Sequence, residues 1–578
     1  MSGTSEQTPD SVSARGSGDT APPLTLVEMA EELAAAMREA GVDLLYGVPG
    51  GGANLDVVGA AEAAGSRFVL AHGETAATIM AAVTGELTGR PSASIVTRGP
   101  GAASAVNGAA QALLDRQPML LITDCVTTAD KSRVSHQRLD QQAMLGPATK
   151  ASVRLGPHDT RSQAAEAVAL ATRGRPGPVH IDLDPAAPPA PISTSAVLAA
   201  TPDAGVISAS ALGVARRALR DAWHPVVIAG VGAVATAAHR RGATVAALRR
   251  FVGAGNVPVL TTYKGRGLVA DSSGTAAGVA TGGTIEAGLL EAADLIVGVG
   301  LDPVELIPGP WCYDAPVVLL GTWAVDDSAF FGERLVAEVV GDLGEILTEL
   351  TADLRTGWAA GAGAEEGRAA RQRLLDAVLA MPVGLTPQQV VLEARSAAPA
   401  GTIATVDAGA HMLVSVPLWG VEEPGELLVS SGLATMGFAL PAAAAAALVH
   451  PDRHVVCFTG DGGLGMALAE LETLARLGLR VIIVVFNDAT LSLIAIKQRP
   501  EGHGGEGAVR YSPTDFAAIG AAFGLASHRV GDLAEYRRAL DEALVTDGPT
   551  LIDVNFDPSA YPAVIDAIRG ARRPPISE

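Results

Sequence analysis

The chain has 578 residues, 48% of them apolar, 18% charged and 4% aromatic, and its 62 acidic and 41 basic side chains leave a formal charge of −21. That length makes roughly three or four domains, and so acidic a chain repels phosphate backbones, which excludes sequence-independent nucleic-acid binding. Cys125, Cys312 and Cys457 are too few and too scattered for a disulfide framework or a zinc cluster, so the chain reads as cytoplasmic with reduced thiols.

Residues 1–24 are rich in Ser, Gly, Thr, Asp and Pro, which predicts a disordered leader without a signal peptide. Beyond them, short apolar runs ended by Gly, Asp or Pro alternate with alanine-rich stretches of helical period. That rhythm predicts parallel sheets covered by helices on both faces, an α/β chain of three consecutive doubly wound domains. In the first domain, 25–195, the expected strands are 44–48, 67–71, 93–97, 118–123 and 178–183, with a Pro/Ala-rich connector at 184–195. In the second, 205–352, they are 225–230, 258–263, 294–300 and 316–321. A charged linker, 353–385, leads to the third domain, 386–562, with strands at 402–407, 454–460, 480–487 and 550–556, and then a tail, 563–578. Residues 427–449 run 23 positions without a charge, long enough to span a bilayer. Ser430, Ser431, Gly432 and Pro441 interrupt the run and no basic cluster flanks it, so it reads as a strand end, a glycine-rich turn and a buried helix.

The strongest chemical signal lies in the third domain. One strand runs into Gly460-Asp461-Gly462-Gly463, and a second ends in Asn487-Asp488. Ligands bind outside the carboxyl ends of parallel strands, so neighbouring strands would present both carboxylates together. Glycines let backbone N–H groups approach phosphate oxygens, and two carboxylates with a backbone carbonyl suit Mg²⁺. Alternatively, Gly and Asp here only cap two turns. Upstream, Glu74 opens an apolar helix, where a carboxylate is ordinarily a cap favoured by the helix dipole, and Gly99-Pro100-Gly101 forms another strand-to-helix turn.

In order and spacing, these segments resemble the thiamine-diphosphate-dependent 2-oxo acid enzymes, and within them acetolactate synthases of the catabolic kind. The resemblance rests on YGVPGG (46–51), HGETAA (72–77), TRGPGA (97–102), SHQRLDQQAMLGPATK (135–150) and VGLDPVELIPGPW (299–311). It continues through DAGAH (407–411), SGLATMGFALPAA (431–443), GDGGLGMALAELETLARL (460–477) and FNDAT (486–490).

The resemblance implies a role for each matching residue. Glu74 would hydrogen-bond the aminopyrimidine ring of the cofactor, for which its carboxylate must be desolvated. Met436 would prop the cofactor in a bent conformation. Gly409 and His411 would form a diphosphate-binding turn with Gly460, Gly462 and Gly463. Asp461, Asp488 and the Thr490 carbonyl would hold Mg²⁺, and Gln137 would face the reacting carbon. As alternatives, Met436 is core filler, His411 a satisfied surface histidine and Gln137 a loop brace. The chain departs from the family pattern at Gly73-Glu74-Thr75, at Ser104 and over LSLIAIKQ (491–498), all on the substrate side.

GVGAVA (230–235) looks like a nucleotide fingerprint, but no acidic residue ends a following strand at the expected distance, so an NAD site is rejected. LLGTWAVDD (319–327) does not resemble the adenosine-binding stretch of FAD-containing relatives, and bound FAD is not expected. The reaction implied is decarboxylation of a short 2-oxo acid followed by carboligation to a second, as when two pyruvates form acetolactate. A non-ligating decarboxylase or lyase of the same family is the nearest alternative. A catalytically idle binding or regulatory homologue is the alternative from another class, against which the intact Glu74, Asp461 and Asp488 argue. By the same resemblance Glu74 and Asp461 meet across a subunit interface, so a homodimer is the minimal unit and a homotetramer is expected, with no membrane partner.

Overall fold

Strands whose every position is apolar can be buried on both faces, and the chain uses such strands to build three sheets. The computed structural model describes residues 22–188, 190–192, 207–236, 238–306, 311–325, 328–379, 384–498, 505–556 and 558–569. The leader through residue 21, residues 189 and 193–195 of the 184–195 connector, residues 307–310 of the 299–311 motif and the tail beyond 569 lie outside the described residues.

The first sheet contains β1 (Leu44–Val48), β2 (Arg67–Leu70), β3 (Ser92–Val96), β4 (Met119–Thr123), β5 (Ala151–Leu155) and β6 (Pro178–Leu183). The second contains β7 (Pro225–Ala229), β8 (Val259–Thr261), β9 (Ala276–Val279), β10 (Leu295–Val299), β11 (Val317–Gly321) and β12 (Leu335–Val340). The third contains β13 (Ile403–Val406), β14 (Leu427–Val429), β15 (Val455–Gly460), β16 (Val481–Asn487), β17 (Ala526–Val530) and β18 (Thr550–Asn555). Each sheet has six strands, in the orders β2-β1-β3-β4-β6-β5, β12-β11-β10-β7-β8-β9 and β14-β13-β15-β16-β18-β17. All pairings between these strands are parallel. The first and third sheets therefore share one topology, and the expected α/β architecture of three doubly wound domains is what forms.

The strand order switches direction between β1 and β3, between β7 and β10, and between β13 and β15, and in the first and third sheets again at the far edge, where β5 and β17 lie outside β6 and β18. These are the crevices where ligands enter such sheets. The one between β7 and β10 is bridged by hydrogen bonds within the chain. Within 230–235, the Gly232 N–H donates to Gly300 O at 2.8 Å and the Val231 N–H to Glu305 Oε2 at 2.8 Å. These two backbone donors of the 230–235 segment are thus satisfied within the chain.

Four strands were not anticipated from sequence, β5, β9, β12 and β17, and each lies at a sheet edge. Two boundaries also differ. The charged linker carries the helix Ala362–Leu379, packed against β9. The expected tail is helical as far as Arg569, with Val564 and Ile568 fully buried. The uncharged run 427–449 divides into β14, a turn and the buried helix Ala439–Val449, and among the described residues no helix is long and apolar enough to cross a membrane.

The outer domains share one core. Ala76, Ile79, Met80 and Val83 of the helix Glu74–Thr88 are buried in one cluster with Phe438, Leu440 and Ala442–Ala446. Alanines on the second helix let the two backbones approach closely, so the packing is dense without large side chains.

Candidate active site

At the β13–β15 reversal in the third sheet, the loops after β13, β15 and β16 enclose a cavity of about 280 Å³. Gly409, His411, Met436, Gly460, Asp461, Gly462, Gly463, Asp488 and Thr490 all line it. Nine of the eleven residues singled out from sequence are thus brought together.

The register Gly460↔Phe486 sets the ends of β15 and β16 side by side, which makes Asp461 and Asp488 neighbours. Asp461 is 8% exposed, and its Oδ1 accepts the Gly462 N–H at 2.7 Å. Its Oδ2 is buried and has no hydrogen-bond partner among the described residues. Burial and the charge of Asp488 push the Asp461 carboxyl up to about 6. Burial also raises Asp488, although the Ser492 hydroxyl and the Thr490 N–H, the latter at 3.1 Å from Oδ1, donate to it. Ala489, between the two ligand candidates Asp488 and Thr490, is held at φ 52°. An alanine there costs about 1 kcal/mol, so the loop is shaped by something other than local preference.

A buried carboxylate oxygen that no donor satisfies, beside a second carboxylate, is a pair of hard oxygen donors of the kind that suits Mg²⁺. Among the described residues no group of three or more His, Cys, Asp or Glu side chains could hold a metal. A cation here would need backbone, ligand and water oxygens besides the two carboxylates.

His411 is 4% exposed, is stacked on Phe486 at 5.2 Å and has an unpartnered Nε2. The expected alternative of a surface histidine is therefore not what forms. Burial lowers its pKa to about 4, so the ring is neutral at ordinary pH. Two glycines make room for it: a Cβ on Gly409 would lie 2.7 Å, and one on Gly460 3.3 Å, from His411 Cε1. Met436 is half-buried, and its Cε would lie 3.3 Å from a Cβ on Gly462.

Sequence reasoning assigned no role to Asp407, which fixes the Met436 turn. Its fully buried carboxylate accepts the Gly437 and Phe438 N–H groups at 3.1 and 3.0 Å and the Thr459 hydroxyl at 3.0 Å. A Cβ on Gly463 would strike Asp407 Oδ2 at 2.0 Å. Burial raises this carboxyl to about 6 against those donors. Its place at the end of β13, as Asp-Ala-Gly, was the available signal.

The remaining two residues lie on either side of the Gly99-Pro100-Gly101 turn of the first domain. Glu74 begins its helix and is half-buried, so the desolvation expected of it is incomplete within one chain. A Cβ on Gly101 would lie 3.4 Å from Glu74 Oε1, and one on Gly99 would lie 3.0 Å from Gln137 Cβ. The Gly99-Pro100-Gly101 turn is thus the common floor under Glu74 and Gln137. Gln141, also unassigned from sequence, pins that floor: its Oε1 accepts the Gly99 N–H at 2.8 Å, and its Nε2 donates to Asp124 O and Asp182 Oδ1, both at 3.0 Å.

Comparison with known proteins gives this arrangement a family. Residues 27–144, 213–350 and 407–554 match the models described as the N-terminal TPP binding domain, the central domain and the C-terminal TPP binding domain of thiamine pyrophosphate enzymes. The chain belongs to the thiamine pyrophosphate (thiamine diphosphate) enzyme family. It is 31% identical to the acetolactate synthase large subunit of Parasynechococcus marenigrum, over 92% of this chain and 88% of that one. It is 29% identical to the catabolic acetolactate synthase of Raoultella terrigena (91% and 95% covered) and 28% identical to the acetolactate synthase of Bacillus subtilis (91% and 93%).

Proposed function

We propose that the protein is a Mg²⁺-dependent member of this family that decarboxylates a short 2-oxo acid and ligates the remaining fragment to a second oxo acid. The observation that carries this reading is the buried, unpartnered Asp461 oxygen beside Asp488 in the β13–β15 crevice, in a chain similar to acetolactate synthases over nine-tenths of its length. Bound thiamine diphosphate supplies the electron sink for loss of CO₂. Asp461 and Asp488, with the Thr490 carbonyl, would hold the cation, while His411 Nε2 and the Gly460, Gly462 and Gly463 segment would hold the diphosphate. Met436 would prop the cofactor from the turn that Asp407 fixes. Glu74 would hold a proton at the aminopyrimidine ring, which demands that water be excluded from its carboxylate. Gln137 would orient the substrate from the neighbouring loop. Because Glu74 is only half-buried in one chain, the complete site would form between two chains, in a homodimer or a tetramer of such dimers.

The deciding experiment supplies pyruvate and a panel of 2-oxo acids with thiamine diphosphate and Mg²⁺ and identifies the products by mass. Acetolactate is the expected product. Acetaldehyde alone would replace ligation with simple decarboxylation. An absence of both turnover and cofactor binding would leave an idle homologue.

A further inference from the structure

Nothing in the first domain caps the helix that Glu74 opens: its N-cap, Gly73, makes no side-chain hydrogen bond. The cap comes from the third domain. Glu470, 1% exposed, directs Oε1 at two consecutive backbone donors, accepting the His72 N–H at 3.0 Å and the Gly73 N–H at 2.9 Å. Its Oε2 accepts the Thr473 hydroxyl at 2.7 Å, which locks the side chain. The same helix, Glu470–Leu477, grips the loop twice more: Glu472 meets His72 Nε2 at 2.7 Å, and Arg476 Nη2 donates to Leu70 O at 2.6 Å. The latter two contacts are partly exposed and contribute little. The Glu470 bonds are buried, where losing an acceptor leaves backbone donors unsatisfied and is costliest.

We propose that Glu470 is a positioning residue for Glu74. It fixes the two peptide groups immediately before Glu74, and so sets where the first turn of that helix places the Glu74 carboxylate. It touches neither cavity nor substrate. Because Glu470 follows the Asp461 segment in the same chain, it ties the Glu74 half of one two-chain site to the Asp461 half of the other across a domain junction. The inference rests on the role given to Glu74 above.

The test measures hydrogen–deuterium exchange at the thiazolium C2 of thiamine diphosphate bound to the full-length enzyme with Mg²⁺, together with the cofactor Kd. Glu470→Ala and Glu470→Asp are expected to slow exchange by about ten- to a hundredfold, the scale of a small misplacement of a reacting group, with Kd little changed. Glu470→Gln keeps an oxygen acceptor for both N–H groups and is expected to retain most of the rate. The aspartate variant keeps the carboxyl group and withdraws the oxygen by one methylene, so the question stays answerable if the alanine variant folds poorly. Exchange at the wild-type rate in Glu470→Asp, or a loss confined to cofactor affinity, overturns the proposal. Absence of exchange in the wild-type enzyme would instead strike the role of Glu74 itself.

Discussion

Asp461 has one satisfied oxygen, one bare oxygen and a like-charged neighbour, so its ionised form is costly in the protein alone. Its carboxyl lies at about 6 instead of the ordinary 3.8, which means the folded protein binds that proton more tightly than the unfolded chain does. The group's contribution to stability is therefore fully present below about pH 4 and lost as pH rises through about 6. In metal-free protein at pH 7, Asp461→Asn is expected to raise stability by on the order of 1 to 3 kcal/mol, measured by thermal unfolding. The same variant is expected to lose any rise in Tm on adding Mg²⁺ and thiamine diphosphate. A lowered Tm in the metal-free variant would show that the carboxylates are not in conflict. Glu74 gives the complementary case. Glu74→Gln keeps the size and most of the hydrogen-bonding capacity but cannot exchange a proton, so kcat is expected to fall about 10²- to 10⁴-fold while calorimetry still detects cofactor binding. Undiminished turnover would remove Glu74 from the chemistry.

At the scale of elements, close approach between helices is what aligns the Glu74 helix. The helix Pro100–Leu114 crosses it at Gly108, where a Cβ would lie 2.6 Å from Thr78 Cβ and 3.0 Å from Thr75 O. One of those contacts is backbone, so the helices must part. Gly108→Ala is expected to cost about 1 to 3 kcal/mol, the usual range for overpacking, and to lower kcat as well as Tm, because the shift is transmitted one turn from Glu74. A fall in Tm with kcat intact would uncouple that crossing from the site. Which elements were legible in the sequence follows from burial. Central strands such as β4 and β16 are buried at every residue, so they read as unbroken apolar runs. The edge strands β5, β9 and β17 are half covered, with Arg154, Gly278 and Arg529 among their residues, and no window of sequence marks them as strands. Among the cavity residues, Gly460, Asp461, Gly462, Gly463 and Asp488 were legible from their place at the ends of two apolar strands, whereas Gly409, His411, Met436 and Thr490 were legible only through the family resemblance. Asp407, Gln141 and Glu470 were legible in neither way, because each works on backbone groups that are distant in sequence.

For the whole molecule, the decisive fact is which residues face the cavity. All of them come from the third domain, between Ala408 and Tyr561, and neither Glu74 nor Gln137 is among them. Yet the two outer domains of one chain are already firmly packed, through the shared core and through Asn107 Nδ2 donating to Thr435 Oγ1 at 3.0 Å and Asp115 Oδ1 accepting the Gly432 N–H at 2.7 Å. That packing keeps Glu74 of the first domain and the cavity of the third apart within one chain, which on the proposed function makes each of them half of a site. A twofold pair of chains can close both at once, each chain lending its first domain to the other's third, since an isologous arrangement makes every contact twice. Mixing two inactive variants tests this directly. Glu74→Gln and Asp461→Asn, unfolded and refolded together in equal amounts, should form mixed dimers in which one site carries both lesions and the other carries neither. With random pairing, half the dimers are mixed and half of their sites are intact, so about a quarter of wild-type activity should return. If each site were built within one chain, every site would keep a lesion and no activity would return at any mixing ratio.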